Sequence, residues 1–219
     1  MGDVAGQRFS QHGPGHVVLV VDDAPRICEA LSELLATFDL PVVTFGSAAA
    51  YMAYPKPNVP TCLILDMQLP DMNGLDLQSR DDEGGAPQIV FLTGRGDVPS
   101  SVRAMKAGAV DFLEKPFKEA DLLRAIEVAL ARDRAARAKR AERAELEQRL
   151  STLTAREREV FPLVISGFLN KQSAGELGIS EVTLQIHRGK IMMKMRAGSL
   201  AELVRMAATL EIPISDRRP

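Results

Sequence analysis

Cysteine is scarce in this sequence: Cys28 and Cys62 are its two members, and no CxxC pair occurs. That excludes a zinc ribbon or a disulfide framework, and the apolar context of both predicts free buried thiols in a reducing compartment. Long apolar runs are missing as well. The longest near the N-terminus is Val17–Val21, too short for a signal-peptide core or a membrane span. Gly2 follows the initiator Met, but position 6 is glycine, so the myristoylation pattern is not met. Neither a Walker A loop nor a G-x-G-x-x-G is present, which argues against direct ATP binding. The expectation is a cytoplasmic protein that makes no membrane contact.

What is present is ordinary in bulk and uneven in distribution. Apolar content is 46% and charged content 26%, as in soluble globular proteins. A chain of 219 residues suffices for one large domain or two small ones. Residues 1–131 hold 10 Lys+Arg against 18 Asp+Glu, a net of −8; residues 132–219 hold 17 against 11, a net of +6. Such asymmetry suggests an acidic module joined to one that meets a polyanion, with uneven solvated surface as the bland alternative.

Residues 1–15 are polar and glycine-rich and read as a disordered tail. Val17–Val21 is a β-branched run suited to a strand covered on both faces. Pro25 fits the first turn of a helix, with Ile27, Leu31, Leu34, Leu35 and Phe38 at helical spacing. Strands follow at Val42–Phe45, Cys62–Leu65, Gln88–Leu92 and Val110–Leu113. Helices are expected at Ser47–Ala53, weakly at Leu75–Ser79, at Val98–Ala107 before a Gly108 cap, and from about Lys118; Asp81–Ala86 reads as a loop. Strands and helices alternating five times predict a doubly wound α/β domain. In a flavodoxin-like (βα)5 sheet of order 2-1-3-4-5, the ends of strands 1, 3, 4 and 5 lie side by side. Those ends carry Asp22 and Asp23, Asp66, Thr93 and Lys115.

Each of these residues has a plain explanation when taken singly. Asp23 before Ala24-Pro25 makes a good helix N-cap, Thr93 could belong to a turn, and Lys115 could be solvated. Together they suggest more. Three clustered carboxylates repel one another and favour a hard cation such as Mg²⁺. A carboxylate beside that ion is a nucleophile able to form an aspartyl-phosphate, with a lysine and a hydroxyl to stabilise phosphoryl oxygens.

Asp22-Asp23, Asp66 with Pro70 and Gly74, Thr93-Gly94 and Lys115-Pro116 resemble the two-component receiver domain over residues 16–131. The stretch from Gly96 to Phe117 is similar to the FixJ branch. The resemblance implies Asp66 as phosphoacceptor. It implies Asp23 and Asp66 as direct Mg²⁺ ligands, Asp22 binding mainly through water, and a backbone carbonyl ligand from Gln68. Thr93 and Phe112 become a switch pair, Lys115 contacts the phosphate, and Lys115-Pro116 is a cis peptide.

From Lys118 a helix-favouring pattern without Gly or Pro runs through Leu150, about 33 residues and roughly 50 Å. Its later part, residues 132–150, reads as a helical linker, either a solvated charged helix or a weak coiled coil. Thr154-Ala155-Arg156-Glu157 is a capping box, and Pro162 inside the helix it opens is expected to kink or split it. Asn170 is a candidate cap for Lys171–Leu177. Gly178-Ile179-Ser180 then forms a short turn, Glu181–Arg196 the next helix, and Ser199 caps a last one through Leu210. Helix, short glycine-containing turn and helix make a helix-turn-helix.

On the second of these helices, Leu184, His187, Ile191 and Met195 form the core stripe, while Gln185, Ile186, Arg188 and Gly189 fall away from it. An exposed Ile186 suits thymine methyl groups, and Gln185 suits adenine. Lys171, Thr183, Lys190 and Lys194 are candidate phosphate contacts. Thr154, Glu157, Gly167, Asn170-Lys171, Leu177 to Ser180, Thr183 and His187-Arg188 resemble a LuxR-type output domain, small and all-α, of the NarL/FixJ response regulators. It spans residues 151–212, followed by a tail at 213–219. Ser173, Gln185 and Lys190 depart from that pattern.

Both resemblances imply a transcription factor. A sensor histidine kinase phosphorylates Asp66, the chain homodimerises through residues near 98–131, and it binds double-stranded promoter DNA and engages RNA polymerase. It is then no enzyme beyond its own phosphotransfer and autodephosphorylation. Two rivals remain at this level: a phosphorylation-dependent protein-interaction switch or phosphate sink, and a phosphatase of the aspartyl-phosphate type.

Overall fold

The structure, a computed structural model, describes residues 15–81, 86–94 and 98–214. Most of the two expected tails and of the 81–86 loop lies outside the described residues. The chain divides into two compact units, Met1–Arg137 and Ala138–Pro219.

In the first unit five strands, β1 Val17–Val21, β2 Val42–Phe45, β3 Thr61–Asp66, β4 Gln88–Thr93 and β5 Asp111–Glu114, form a sheet of order β2-β1-β3-β4-β5. Every pairing is parallel. The helices are α1 Pro25–Ala36, α2 Ala48–Ala53, α3 Gly74–Asp81, α4 Val98–Lys106 and α5 Glu119–Ser151. The architecture is the one that the alternation of elements predicts. Strand β5 starts one residue later than expected and α3 runs longer than Leu75–Ser79. Segments this short carry too little periodicity to place their ends.

Strand residues alternate between two cores, as the pleat requires. Val18, Val20, Ile64 and Leu92 pack under Leu31 and Leu35 of α1 and Leu122 and Ile126 of α5. Leu19, Val21, Leu65 and Phe91 pack under Tyr51 of α2, Leu77 of α3 and Ala104 of α4. Two covered faces explain why β1 and β3 read as unbroken apolar runs. Both cysteines are free and buried, as expected.

Asp23 does not cap α1. The cap residue is Ala24, which makes no side-chain bond, and its N–H donates to Asp22 Oδ1 at 2.9 Å. The expected boundary at residue 131 also moves. Asp133 is 0% exposed and accepts from the Thr61 N–H at 2.8 Å and from Arg137 Nε at 2.7 Å. Arg137 donates further to the Asn58 side chain and the Pro57 carbonyl. Residues 132–137 are therefore part of the first unit, although their sequence has the character of a solvated helix.

The second unit joins the last turns of α5 to α6 Ala155–Ile165, α7 Asn170–Leu177, α8 Glu181–Met195 and α9 Leu200–Thr209. Phe161, Val164, Leu184, Ile191, Met195 and Leu203 make its core, with Leu150 packed against them. Leu146 is buried too, so neither leucine lies on a fully solvated helix. The Thr154–Glu157 capping box is formed.

Pro162 does not split α6, which runs through it, and the Pro162 carbonyl accepts from both the N–H and the hydroxyl of Ser166. Asn170 is the first residue of α7 rather than its cap; the Leu169 N–H is taken instead by Gln172 Oε1 at 3.0 Å. Gly178 ends α7 at φ 63°, a left-handed conformation that glycine adopts without steric cost. Ser180 then caps α8 through the Thr183 N–H. No helix among the described residues is long and apolar enough to cross a membrane.

Candidate functional site

The ends of β1, β3, β4 and β5 converge because the sheet order makes them neighbours. Register pairs Val21 with Leu65, Asp66 with Leu92 and Thr93 with Glu114. One carboxylate oxygen each from Asp22, Asp23 and Asp66 lies within 4.8 Å of the other two. Lys115 Nζ bridges two of the three, 2.6 Å from Asp22 Oδ2 and 2.9 Å from Asp66 Oδ2. It is half-buried rather than solvated, and the Lys115-Pro116 bond is cis.

Burial raises the Asp22 carboxyl above the usual carboxylate range, with the Asp66 charge adding to it; Lys115 and the Ala24 N–H work the other way without cancelling it. For Lys115, burial disfavours the ammonium, yet the hydrogen bonds to Asp22 and Asp66 outweigh it and its pKa stands above the ordinary lysine value. The ammonium therefore stays charged, and it pairs with two of the three carboxylates. Such a cluster has capacity for a second, harder cation.

Asp22 spends both oxygens inside the protein, one on Ala24 and one on Lys115. Asp66 accepts from the Gln68 N–H at 3.1 Å through Oδ1 and from Lys115 through Oδ2. Asp23 is exposed. Gly74 sits behind this group, where a Cβ would come within 2.8 Å of the Asp66 carbonyl oxygen, so the loop closes only on glycine. Thr93 is buried at the end of β4. Phe112 on β5 is half-buried, with its ring 6.4 Å from that of Phe91. Asp22, Asp23, Asp66, Thr93 and Lys115 thus lie at one end of the sheet, while Phe112 pairs with Phe91, two residues before that end.

In the second unit, α8 buries Leu184, Ile191 and Met195. The opposite face shows Val182, Gln185, Ile186, Gly189, Lys190 and Met193 to solvent. Val182, at 68% exposed, and Met193, at 69%, extend the apolar character of Ile186 at 53%. Val182, Ile186 and Met193 stand at i, i+4 and i+11, a helical spacing that is legible in the sequence. Lys171 is exposed, Thr183 is half-buried against Ser180, and Arg188 reaches Asn170 Oδ1 at 3.4 Å. Lys194 differs from the other candidates. Its ammonium lies 2.6 Å from the buried Glu157 carboxylate and donates to the Thr152 carbonyl, so it is committed inside the unit. A single sequence offered no sign of that partner 37 residues away.

Comparison with known proteins bears on both units. Residues 18–127 match the response regulator receiver domain, and residues 151–207 match the family described as bacterial regulatory proteins, luxR family. The chain belongs to the response regulators. Nodulation protein W of Bradyrhizobium diazoefficiens is 46% identical over 90% of this chain and 87% of its own. The transcriptional regulatory protein FixJ of Rhizobium meliloti is 41% identical over 88% of this chain and 95% of its own. Among solved structures, the response regulator StyR is 45% identical, covers 89% of this chain and 99% of its own, and superposes with a TM-score of 0.77. This response regulator thus joins a receiver to a luxR-type DNA-binding domain, and neither match is to an enzyme family.

Proposed function

We propose that this response regulator is switched by phosphorylation of Asp66 and acts on promoter DNA. The observation that carries the reading is the Lys115 bridge between Asp22 and Asp66 beside the exposed Asp23. A sensor histidine kinase is the phosphoryl source. An Asp66 carboxylate oxygen attacks phosphorus, the N–P bond of the phosphohistidine breaks, and its electron pair returns to the imidazole. Asp23, Asp66 and the Gln68 carbonyl, with Asp22 behind them, would hold Mg²⁺, which neutralises charge on the transferred group.

Lys115, already on Asp66, is placed to pair with one phosphoryl oxygen, and the Thr93 hydroxyl with another. Turnover is limited to this transfer and to hydrolysis of the acyl phosphate. As Thr93 turns toward phosphate, Phe112 follows and alters the α4–β5–α5 surface. There Val98, Val102 and Met105 of α4 present an exposed apolar stripe, which supports homodimerisation. A dimer sets two α8 helices on half-sites one helical turn apart. Lys171, Lys190 and Arg188 would take phosphates, Gln185 and Ile186 base edges, with Thr183 and Gly189 at the backbone. RNA polymerase, in the cytoplasm, is the further partner.

The test measures oligomeric state and DNA affinity with and without a phosphoryl mimic. Activated wild type is expected to dimerise and bind; Asp66→Asn is expected to do neither. An Asp66→Asn protein that dimerises and binds as tightly as activated wild type defeats the switch. A second reading, a protein-interaction switch, draws on the apolar share of the α8 face, Val182, Ile186 and Met193. Selection from genomic fragments separates the two: enrichment of a DNA sequence removes the second reading, and failure to enrich any favours it.

A further inference from the structure

The loop from Met67 to Gly74 follows the phosphoacceptor directly and is closed on itself. The Gly74 N–H donates to the Met67 carbonyl at 3.0 Å, and Gln68 pairs with Asn73 in an isolated antiparallel bridge. At its tip, Asp71 reaches back to a different part of the chain. Its two carboxylate oxygens accept from the Ala48 N–H at 3.3 Å and the Ala49 N–H at 2.9 Å, the first amides of α2. Helix α2 already has an N-cap, because Ser47 Oγ accepts from the Ala50 N–H at 3.1 Å. Asp71 is therefore a second acceptor at the same helix end, supplied from 22 residues away.

This contact has a direction. Pinning the tip of a closed loop restrains its base. The base is Gln68, whose N–H donates to Asp66 Oδ1 at 3.1 Å. The other oxygen of Asp66 is held by Lys115. The rotamer of Asp66 is thus set from two sides, by Lys115 and by a loop anchored at Asp71. We infer that Asp71 is a positioning residue: by tying the tip of the 67–74 loop to α2, it holds the Gln68 backbone and the Asp66 carboxylate in the arrangement that receives Mg²⁺. This rests on the metal reading given under Proposed function. The two α2 amides also hold the Asp71 carboxyl below the usual range, Ala49 most strongly, so the tie is present at neutral pH.

The experiment uses the full chain and reads Mg²⁺ affinity by calorimetry in the unphosphorylated protein, with thermal unfolding alongside. Asp71→Ala is expected to raise the Mg²⁺ Kd about tenfold, the order seen when a residue that orients a metal ligand is lost. Asp71→Asn keeps an acceptor at the helix end and is expected to stay within about twofold of wild type. Ser47→Ala removes the other acceptor of the same helix without touching the loop, and is expected to lower Tm with Kd unchanged. Asp71→Glu keeps the charge with a longer reach; it is expected to raise Kd with Tm near wild type, and serves if Asp71→Ala does not fold. An unchanged Kd in Asp71→Ala and Asp71→Glu, or an equal rise in Ser47→Ala, overturns the positioning role and leaves the pocket reading intact. Failure of wild type to bind Mg²⁺ overturns both.

Discussion

Two lysines in this protein meet buried carboxylates, to opposite ends. Lys194 in the output domain pairs with one carboxylate, Glu157, whose remaining needs are met by the Thr154 N–H and hydroxyl of the capping box. Burial alone would raise the Glu157 pKa, yet these bonds overcome it and lower it to about 2. Lys115 in the receiver serves two carboxylates with a third close by, and Asp22 is left above its ordinary range. The first arrangement is satisfied and stabilises a fold. Among the described residues the second has one lysine paired with two of three clustered carboxylates, an arrangement that added positive charge stabilises. Burial and an ion pair are common to both; the ratio of cations to carboxylates separates structure from function.

The largest effect expected from this comparison is on the satisfied side. Glu157→Ala strands Lys194 and opens the capping box, and is expected to cost the output domain about 3–5 kcal/mol, read by chemical denaturation. Next comes acid. Glu157 is depressed in the folded state, so its contribution is complete above its ordinary 4.5 and is lost as pH falls toward about 2. The loss amounts to about 3 kcal/mol and should appear in the wild-type-minus-Glu157→Gln difference curve, because the variant has no carboxylate there to titrate. Asp22 has the opposite sign. A raised folded pKa opposes folding above that pKa, so its contribution improves as pH falls through the raised value toward the ordinary one.

Asp133→Asn tests a third buried carboxylate, held through Oδ2 by Arg137 and the Thr61 N–H, and is expected to destabilise the receiver by about 1–3 kcal/mol in a thermal melt. The smallest effect reverses direction. Asp23→Asn relieves repulsion in the pocket and is expected to stabilise the metal-free receiver by about 1 kcal/mol, while removing the rise in Tm that Mg²⁺ brings to wild type. Destabilisation by Asp23→Asn in metal-free buffer breaks the comparison, since the pocket would then be as well satisfied as Glu157.

Much of this was legible from residue order. Val17–Val21 and Cys62–Leu65 announced covered strands because two buried faces leave no polar alternation. The βαβ alternation announced a doubly wound parallel sheet, and the flavodoxin-like order, if adopted, places Asp22, Asp66, Thr93 and Lys115 together. The helix-turn-helix was visible in Gly178 and Ser180, whose roles are local. What failed were side-chain assignments that depend on partners far along the chain. Asp23 looked like a cap, yet it is the neighbouring Asp22 that takes the Ala24 amide. Lys194 looked like a phosphate contact, and Glu157 holds it. Asp133 looked solvated, and it lies against Thr61.

Local pattern by itself therefore determined the elements, their order and the chemical inventory at the strand ends, because hydrophobic period, capping and turn chemistry act over a few residues. Only the tertiary structure decided which carboxylates are satisfied. A hydrogen bond over 22, 37 or 72 residues is set by how elements pack, and one sequence carries no periodic trace of it.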